Sequence, residues 1–470
     1  MKPSLWISLL PLGLLVGLIA CVVSVFGNDT LAGASQVALL LSSAFCVCIG
    51  LLKRIITWED FEKAVTEKVG GVAQSLIILL LIGSLSGAWM VSGIVPMLIY
   101  YGMEIIHPAW FLISACVICA VVSVMTGSSW TTIATIGVAL MGIGQTLGFS
   151  EGWVAGAIIS GAYFGDKISP LSDTTVLAAS TSGTPLFTHI RYMMGTTFPT
   201  FLITIIIFTV AGLTQDGTST AQVEVVQKAL DATFNLTPWV LVVPVLTGLM
   251  IAKRMPSVPV LFLATILALV LALITQTPLL EQIADKPELT GLGRSFRGAM
   301  TSLYGSTSLD TGVESLNELV ATRGMSGMMP TIWLILCAMI FGAAMTVTGM
   351  IERLMQAIIR LVRGSVSLVA STALVGFCLN VLTSDQYLSI ILTTTMFKET
   401  YLKQGHKTQL LSRSTEDSAT VTSVLIPWNT CGMTQSSVLG VSTLTYLPYC
   451  FFNYLSPLMT ILMARFVRKQ

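Results

Sequence analysis

The sequence predicts an all-α polytopic membrane protein with about ten to thirteen membrane segments, some short, interrupted or re-entrant, against the roughly 20 apolar residues that a full span needs. Three observations carry that prediction. Hydrophobic residues make up 54% of the 470 positions and charged residues only 10%, against about one quarter charged in a typical soluble domain. Mean hydropathy is +0.84. Apolar runs of spanning length recur along the whole chain. A net charge of +1 and the lack of a long basic run give no footing for a nucleic-acid partner.

The elements follow in order. Apolar segments start the chain at 4–26, 31–52 and 71–95, and although Leu18-Ile19-Ala20-Cys21 resembles a lipoprotein cleavage box, an uncleaved first span is expected there. Between the second and third, TWEDFEKAVTEKVGG at 57–71 reads as an amphipathic helix at the interface. Then come 109–126, 131–148, 151–165, 172–182 and 195–213. After a polar stretch at 214–236 the candidates are 237–251, 257–276, 331–350, 366–382, 386–397, 414–431 and 433–464. The chain divides into a first transmembrane half (1–213), a polar stretch with intervening spans and a partly buried connector (214–330), and a second half (331–470). Lys53, Arg54, Lys63 and Lys68 crowd one loop; Lys253 and Arg254 mark another. Lys398, Lys403, Lys407 and Arg413 crowd a third, and Arg465, Arg468 and Lys469 end the chain. By the excess of Lys and Arg on cytoplasmic loops, both termini are expected inside.

Two polar interruptions repeat. MTGSSWTTIATIG at 125–137 precedes GDKISPLSDTT at 165–175, and VLTSDQYLSII at 381–391 precedes STEDSATVTSVLIPWNTCG at 414–432. In each half an apolar helix ends in a knot of hydroxyl residues, and an acidic, Ser/Thr-rich break follows. Paired interruptions of this kind point to a secondary transporter built from inverted repeats. In hydrocarbon every backbone N–H and C=O needs a partner, so a broken helix is tolerated only against protein or a water-filled cavity. Gly127, Pro170 and Pro427 are the breakers. Freed carbonyls and hydroxyls suit a hard cation such as Na⁺. Ionisable residues at such breaks are functional candidates: Asp166 and Asp173 around Pro170, Asp385 after Thr383-Ser384, and Glu416 and Asp417, either of which could instead cap a helix. Lys167 is a loop residue or a buried partner of a carboxylate.

The remaining chemistry-bearing residues read as structural. The nine cysteines, including Cys46/Cys48 and Cys116/Cys119, have no second ligand pair at zinc spacing and read as small packing residues. His107, His189 and His406 fall near expected loops and read as surface groups. Asp310 and Glu314 read as a solvated helical face.

GSSWTTIATIG, GAYFGDKISPLSDTTVLAAS and TEDSATVTSVLIPWNTCG, in that order over nearly the whole chain, resemble the NhaC family of Na⁺/H⁺ antiporters, which includes members similar to a malate–proton/sodium–lactate antiporter. The resemblance implies two inverted repeats, each with a re-entrant hairpin and a broken helix, an elevator-like motion and a homodimer in the cytoplasmic membrane. It implies no cofactor, since Na⁺ and H⁺ are cargo. Carried over by position, it points to Ser128, Ser129, Thr132, Asp166, Ser169, Asp173 and Thr174 in the first half. In the second it points to Thr383, Ser384, Asp385, Glu416, Asp417 and Asn429. Asp173, with Ser128, is the expected Na⁺ ligand and the first choice for exchanging cation and proton. The second knot reads TSDQ where the first reads GSSW, so the halves are expected to differ in chemistry.

The rival within transport is a Na⁺- or H⁺-coupled carrier of an organic acid or amino acid. An intramembrane protease is not expected: Tyr163-Phe164-Gly165-Asp166 lacks the first glycine of GxGD, and HExxH and GxSxG do not occur.

Overall fold

The computed structural model describes residues 3–26, 33–214, 220–253, 255–284, 286, 288–360 and 362–466. Lys2, Arg254, Arg468 and Lys469 of the basic flanks lie outside them. Among the described residues the only β-pairing is an isolated bridge between Thr307 and Thr322.

Two spans, α1 (Leu5–Phe26) and α2 (Ala34–Leu52), precede the interfacial helix α3 (Trp58–Gly71). The sequence starts α3 with a capping box: the Thr57 hydroxyl accepts from Asp60 N–H while Asp60 accepts from Thr57 N–H. The first core unit is α4 (Ala73–Val91), short α5 (Ile94–Ile105), α6 (Phe111–Thr126), α7 (Ser129–Thr132) and α8 (Val138–Thr146). A π turn, Ile133–Gly137, joins the last two. It continues with α9 (Glu151–Ile168), α10 (Asp173–Ser182) and the long α11 (Leu186–Thr214).

The expected polar stretch holds helix α12 (Thr220–Thr233), bent 91° against the segment that contains α13 (Val242–Ala252). The span α14 (Ser257–Thr275) leads to connector helices α15 (Thr277–Ala284), α16 (Leu292–Tyr304) and α17 (Glu314–Val320). The connector is partly buried, with Ser302, Thr307 and Leu309 inside. Asp310 and Glu314 are exposed.

The second unit is α18 (Gly324–Val347), short α19 (Met350–Ile359), α20 (Ser365–Thr383), α21 (Gln386–Lys403) and α22 (Thr408–Thr415). A π turn (Glu416–Thr420) and a 3-10 turn (Ser423–Leu425) extend α22. Then come α23 (Thr430–Leu439), α24 (Thr443–Tyr446) and α25 (Phe451–Met463). Among the described residues eight helices are long and apolar enough to cross a membrane, ten if each bent pair is one span.

The two units keep a constant register. Gly127 and Ser384, Ser128 and Asp385, Pro170 and Pro427, Ser172 and Asn429, and Gly183 and Gly440 are each 257 positions apart. The same contacts recur at that spacing. Ser123 Oγ donates to the Ala162 carbonyl at 2.6 Å, and Asn380 Nδ2 donates to the Ala419 carbonyl at 2.6 Å. Thr126 Oγ1 meets Ser128 O and Thr132 Oγ1, as Thr383 Oγ1 meets Asp385 O and Ser389 Oγ. A repeated frame with a broken helix in each copy is the pattern expected of a secondary transporter built from inverted repeats.

Candidate functional site: two hairpin tips against two helix breaks

In each repeat a hairpin tip lies against the break of the following helix. Gly127 adopts φ +66°, and a Cβ there would stand 2.6 Å from the Leu171 backbone, so only glycine makes this turn against the first break. The second tip places Ser384 at φ 58°, and its carbonyl accepts from Thr430 N–H at 2.9 Å. Hydroxyl and amide side chains satisfy the freed backbone: Ser169 Oγ donates to Val124 O at 2.8 Å, Trp428 Nε1 to Val381 O at 2.9 Å, and Asn429 Nδ2 to Asn380 O at 3.1 Å. Such partners are what allow irregular backbone at membrane depth.

The candidate residues separate into groups by what they touch. Ser128, Asp385 and Asn429 are helix N-caps, accepting from the N–H groups of Thr131, Leu388 and Cys431. Thr132 and Thr383 bond within their own tips, and Ser169 clasps the first break. The Ser384 hydroxyl is buried without a hydrogen-bond partner among the described residues. Four residues sit where the repeats meet. Asp166, at the end of α9, accepts from Ser129 Oγ at 2.7 Å. Thr174 Oγ1 donates to Glu416 Oε1 at 3.2 Å, and Glu416 Oε2 is buried with no hydrogen-bond partner among the described residues. Asp417 is fully buried and paired with Lys167.

Asp166 and Asp173 share a cavity of about 380 Å³ whose wall also includes Ser128, Thr131, Gln386 and Tyr387. Asp173 is the first residue of α10 and is exposed on that wall; Asp166 lies deeper and is buried. Among the described residues, no Lys, Arg or His lines the cavity. Two carboxylates, hydroxyls and the amides of Gln74 and Gln386, with no cationic side chain among the described lining residues, give negative potential, which attracts a cation and opposes an anion. Carboxylate and hydroxyl oxygens are the donors a hard cation takes.

Other polar residues stand differently from their sequence reading. His189 and His406 are buried, not surface groups: His189 Nδ1 meets Ser412 Oγ at 2.8 Å and His406 Nε2 meets Ser365 Oγ at 3.0 Å. Their segments fold back into the protein, and each ring finds a serine. Lys167 is fully buried. Lys68, from α3, brings its Nζ beneath the second hairpin near Gly342, where it bears on the charge of Asp385. Nothing in the local sequence of 57–71 signals that reach, because only the tertiary packing of α3 on α18 creates it.

Comparison with known proteins places this geometry. The model of the Na⁺/H⁺ antiporter family matches residues 3–181 and 161–466. A Na(+)/H(+) antiporter NhaC of Alkalihalophilus pseudofirmus is 37% identical over 98% of this chain and 95% of its own length. A Na(+)/H(+) antiporter NhaC of Bacillus subtilis is 37% identical over 88% of each chain. A malate-2H(+)/Na(+)-lactate antiporter of Bacillus subtilis is 34% identical over 90% of this chain and 87% of its own length. With most of its length matched at this identity and its polar breaks opposed across two repeats, the chain belongs to the Na⁺/H⁺ antiporter family.

Proposed function

We propose that the protein exchanges Na⁺ for H⁺ across the cytoplasmic membrane by alternating access, with Asp166 as the carboxylate that holds one ion or the other. The observation that supports this most is the Asp166–Ser129 pair on a cavity that holds a second carboxylate and, among the described residues, no lining cation. A proton and Na⁺ compete for one carboxylate, and that competition is sufficient for exchange. Ser129 orients the Asp166 oxygen, and exposed Asp173 draws cations into the cavity.

Gly71, Ser75 and Ser257 line this cavity, and in the sequence they lie near the basic flanks around Lys63 and Lys253. By the positive-inside rule the cavity then faces the cytoplasm, and both termini lie there. We read the chain as halves 1–213 and 331–470 joined by 214–330, working as a homodimer in an elevator-like motion. The cavity's 380 Å³ has room for a small organic anion, the one feature that favours an organic-acid carrier. The lack of a lining cation among the described residues opposes it.

The test is proteoliposomes with an imposed pH gradient and a pH dye. Na⁺ alone is expected to collapse the gradient with wild-type protein and not with Asp166→Asn, while Asp173→Asn shifts the Na⁺ concentration needed. If Asp166→Asn responds like wild type, the assignment fails. If Na⁺ is inert until malate, lactate or an amino acid is added, the organic-acid reading replaces simple exchange.

A further inference from the structure

The Lys167 side chain is fully buried, one residue from the carboxylate to which the exchange is assigned. Its Nζ is paired with Asp417 Oδ1, donates to Ser456 Oγ at 2.9 Å and lies 5.5 Å from the Phe452 ring centroid. Asp417 Oδ2 accepts from Thr196 Oγ1 at 2.8 Å, and Ser456 Oγ stands 3.3 Å from Asp417 Oδ1. The ammonium, carried by α9, thus sits among a carboxylate from the turn after α22 and a hydroxyl and an aromatic face from α25. A free monovalent cation would take that set of partners equally well.

The pair has no counterpart in the other repeat, where Val424 stands 257 positions after Lys167 and Ser160 the same distance before Asp417. It is therefore not part of the fold's repeated framework. We propose that Lys167 is a tethered cation filling a monovalent-cation site built on Asp417, so that this site is closed to free Na⁺ in the wild-type protein. Arg413 Nε is 4.0 Å from Asp417 Oδ2, yet its guanidinium is held over the Tyr192 ring at 4.7 Å and leaves the Lys167 position unfilled. The inference goes beyond the exchange assigned to Asp166 and does not depend on it.

A buried carboxylate stripped of its partner is strongly destabilising in any case, so the informative readout is rescue by a cation. Thermal unfolding of the detergent-purified full chain would be compared in choline chloride and in NaCl, KCl or NH₄Cl at equal ionic strength. Lys167→Ala is expected to lose thermal stability in choline and to regain it in at least one of the small-cation salts, by more than wild type gains. The gain is expected to persist when Asp166→Asn is added, which separates this site from the exchange site. The neutral pair Lys167→Met with Asp417→Asn is expected to need no cation. If Lys167→Ala responds no more than wild type, or loses its response with Asp166→Asn, the proposal is wrong. If Lys167→Ala can be recovered only from NaCl, KCl or NH₄Cl, the proposal stands. If it is unrecoverable in every salt while the neutral pair folds, the proposal falls.

Discussion

The two repeats share a frame and differ in charge. Both turn a hairpin tip at the same register, clasp it to the break of the next helix, and close the second half-helix with a left-handed glycine, Gly183 or Gly440. At the break the likeness ends. The first repeat has Asp166 opposite Ser129; the equivalent positions of the second are Ser423 and Gln386. The second repeat instead puts its acids at Asp385, which caps α21 and faces Lys68, and at Asp417, which faces Lys167. So two of the second repeat's acids, Asp385 and Asp417, face a lysine and Glu416 meets Thr174, while Asp166 meets a hydroxyl and a cavity. A duplicated frame can supply the broken backbone twice and leave the ion chemistry to one copy.

The sharpest way to break this comparison is to exchange the two copies' residues. Asp166→Asn is expected to reduce Na⁺-driven proton flux by roughly a hundredfold, as losing about 3 kcal/mol from a charge-assisted contact would. Ser423→Ala, at the equivalent position, is expected to leave flux within about twofold, a difference below ~0.5 kcal/mol. Equal losses in the proteoliposome assay would mean that the repeats share the work.

The tips differ next. Gly127→Ala must hold a left-handed residue, at about 1–2 kcal/mol, and also overlaps the Leu171 backbone. It is expected to lower the melting temperature in detergent clearly. Ser384→Gly, at the same register, relieves a left-handed serine and is expected to change stability by less than about 1 kcal/mol in either direction. A reversed order would show that Ser384, not Gly127, holds the tighter tip.

These particulars also show what the sequence could disclose. Spans were legible because hydrocarbon demands length and apolarity, and the breaks because Gly127, Pro170 and Pro427 cannot continue a helix. The repeat was legible only loosely. Asn380 and Ser123 do one job with different side chains, so the constant spacing emerges only when their carbonyl partners are seen. Helix α5 stayed hidden inside and beyond an apolar run because its turn depends on Gly93 at φ 82°. The candidate residues were found as a class, by polarity at a break. Their separation into caps, clasps and paired acids depends on tertiary partners such as Thr174 for Glu416 and Thr196 for Asp417. Buried His189 and His406 had no local signal at all, since serines distant in sequence receive them.

The clasp pair gives a smaller contrast. Ser123→Ala removes one hydrogen bond to the Ala162 carbonyl and is expected to cost about 1 kcal/mol. Asn380→Ala removes bonds to the Ala419 carbonyl and to Thr422 Oγ1, as well as a weaker contact with Asn429, and is expected to cost roughly twice as much. Chemical or thermal unfolding of both variants in one detergent checks the order.

The smallest expected effect lies at the interface, where the repeat register reaches helix starts of different chemistry. Asp60 in the α3 cap and Asn317 in α17 are 257 positions apart, and both accept from a threonine N–H and its hydroxyl: Thr57 for Asp60, Thr311 for Asn317. The Thr57 backbone bond, then its hydroxyl, hold the Asp60 carboxyl below the usual aspartate range. A depressed acid stabilises the folded helix start above its unfolded pKa and loses that contribution as pH falls through the lower folded value. Hydrogen exchange at the first turn of α3 is therefore expected to lose protection below the ordinary aspartate range, after correction for intrinsic rates, while the first turn of α17 does not respond through Asn317. Asp60→Asn should flatten the α3 response and leave α17 unchanged; a pH response that survives this change would place the titrating group elsewhere on the interface.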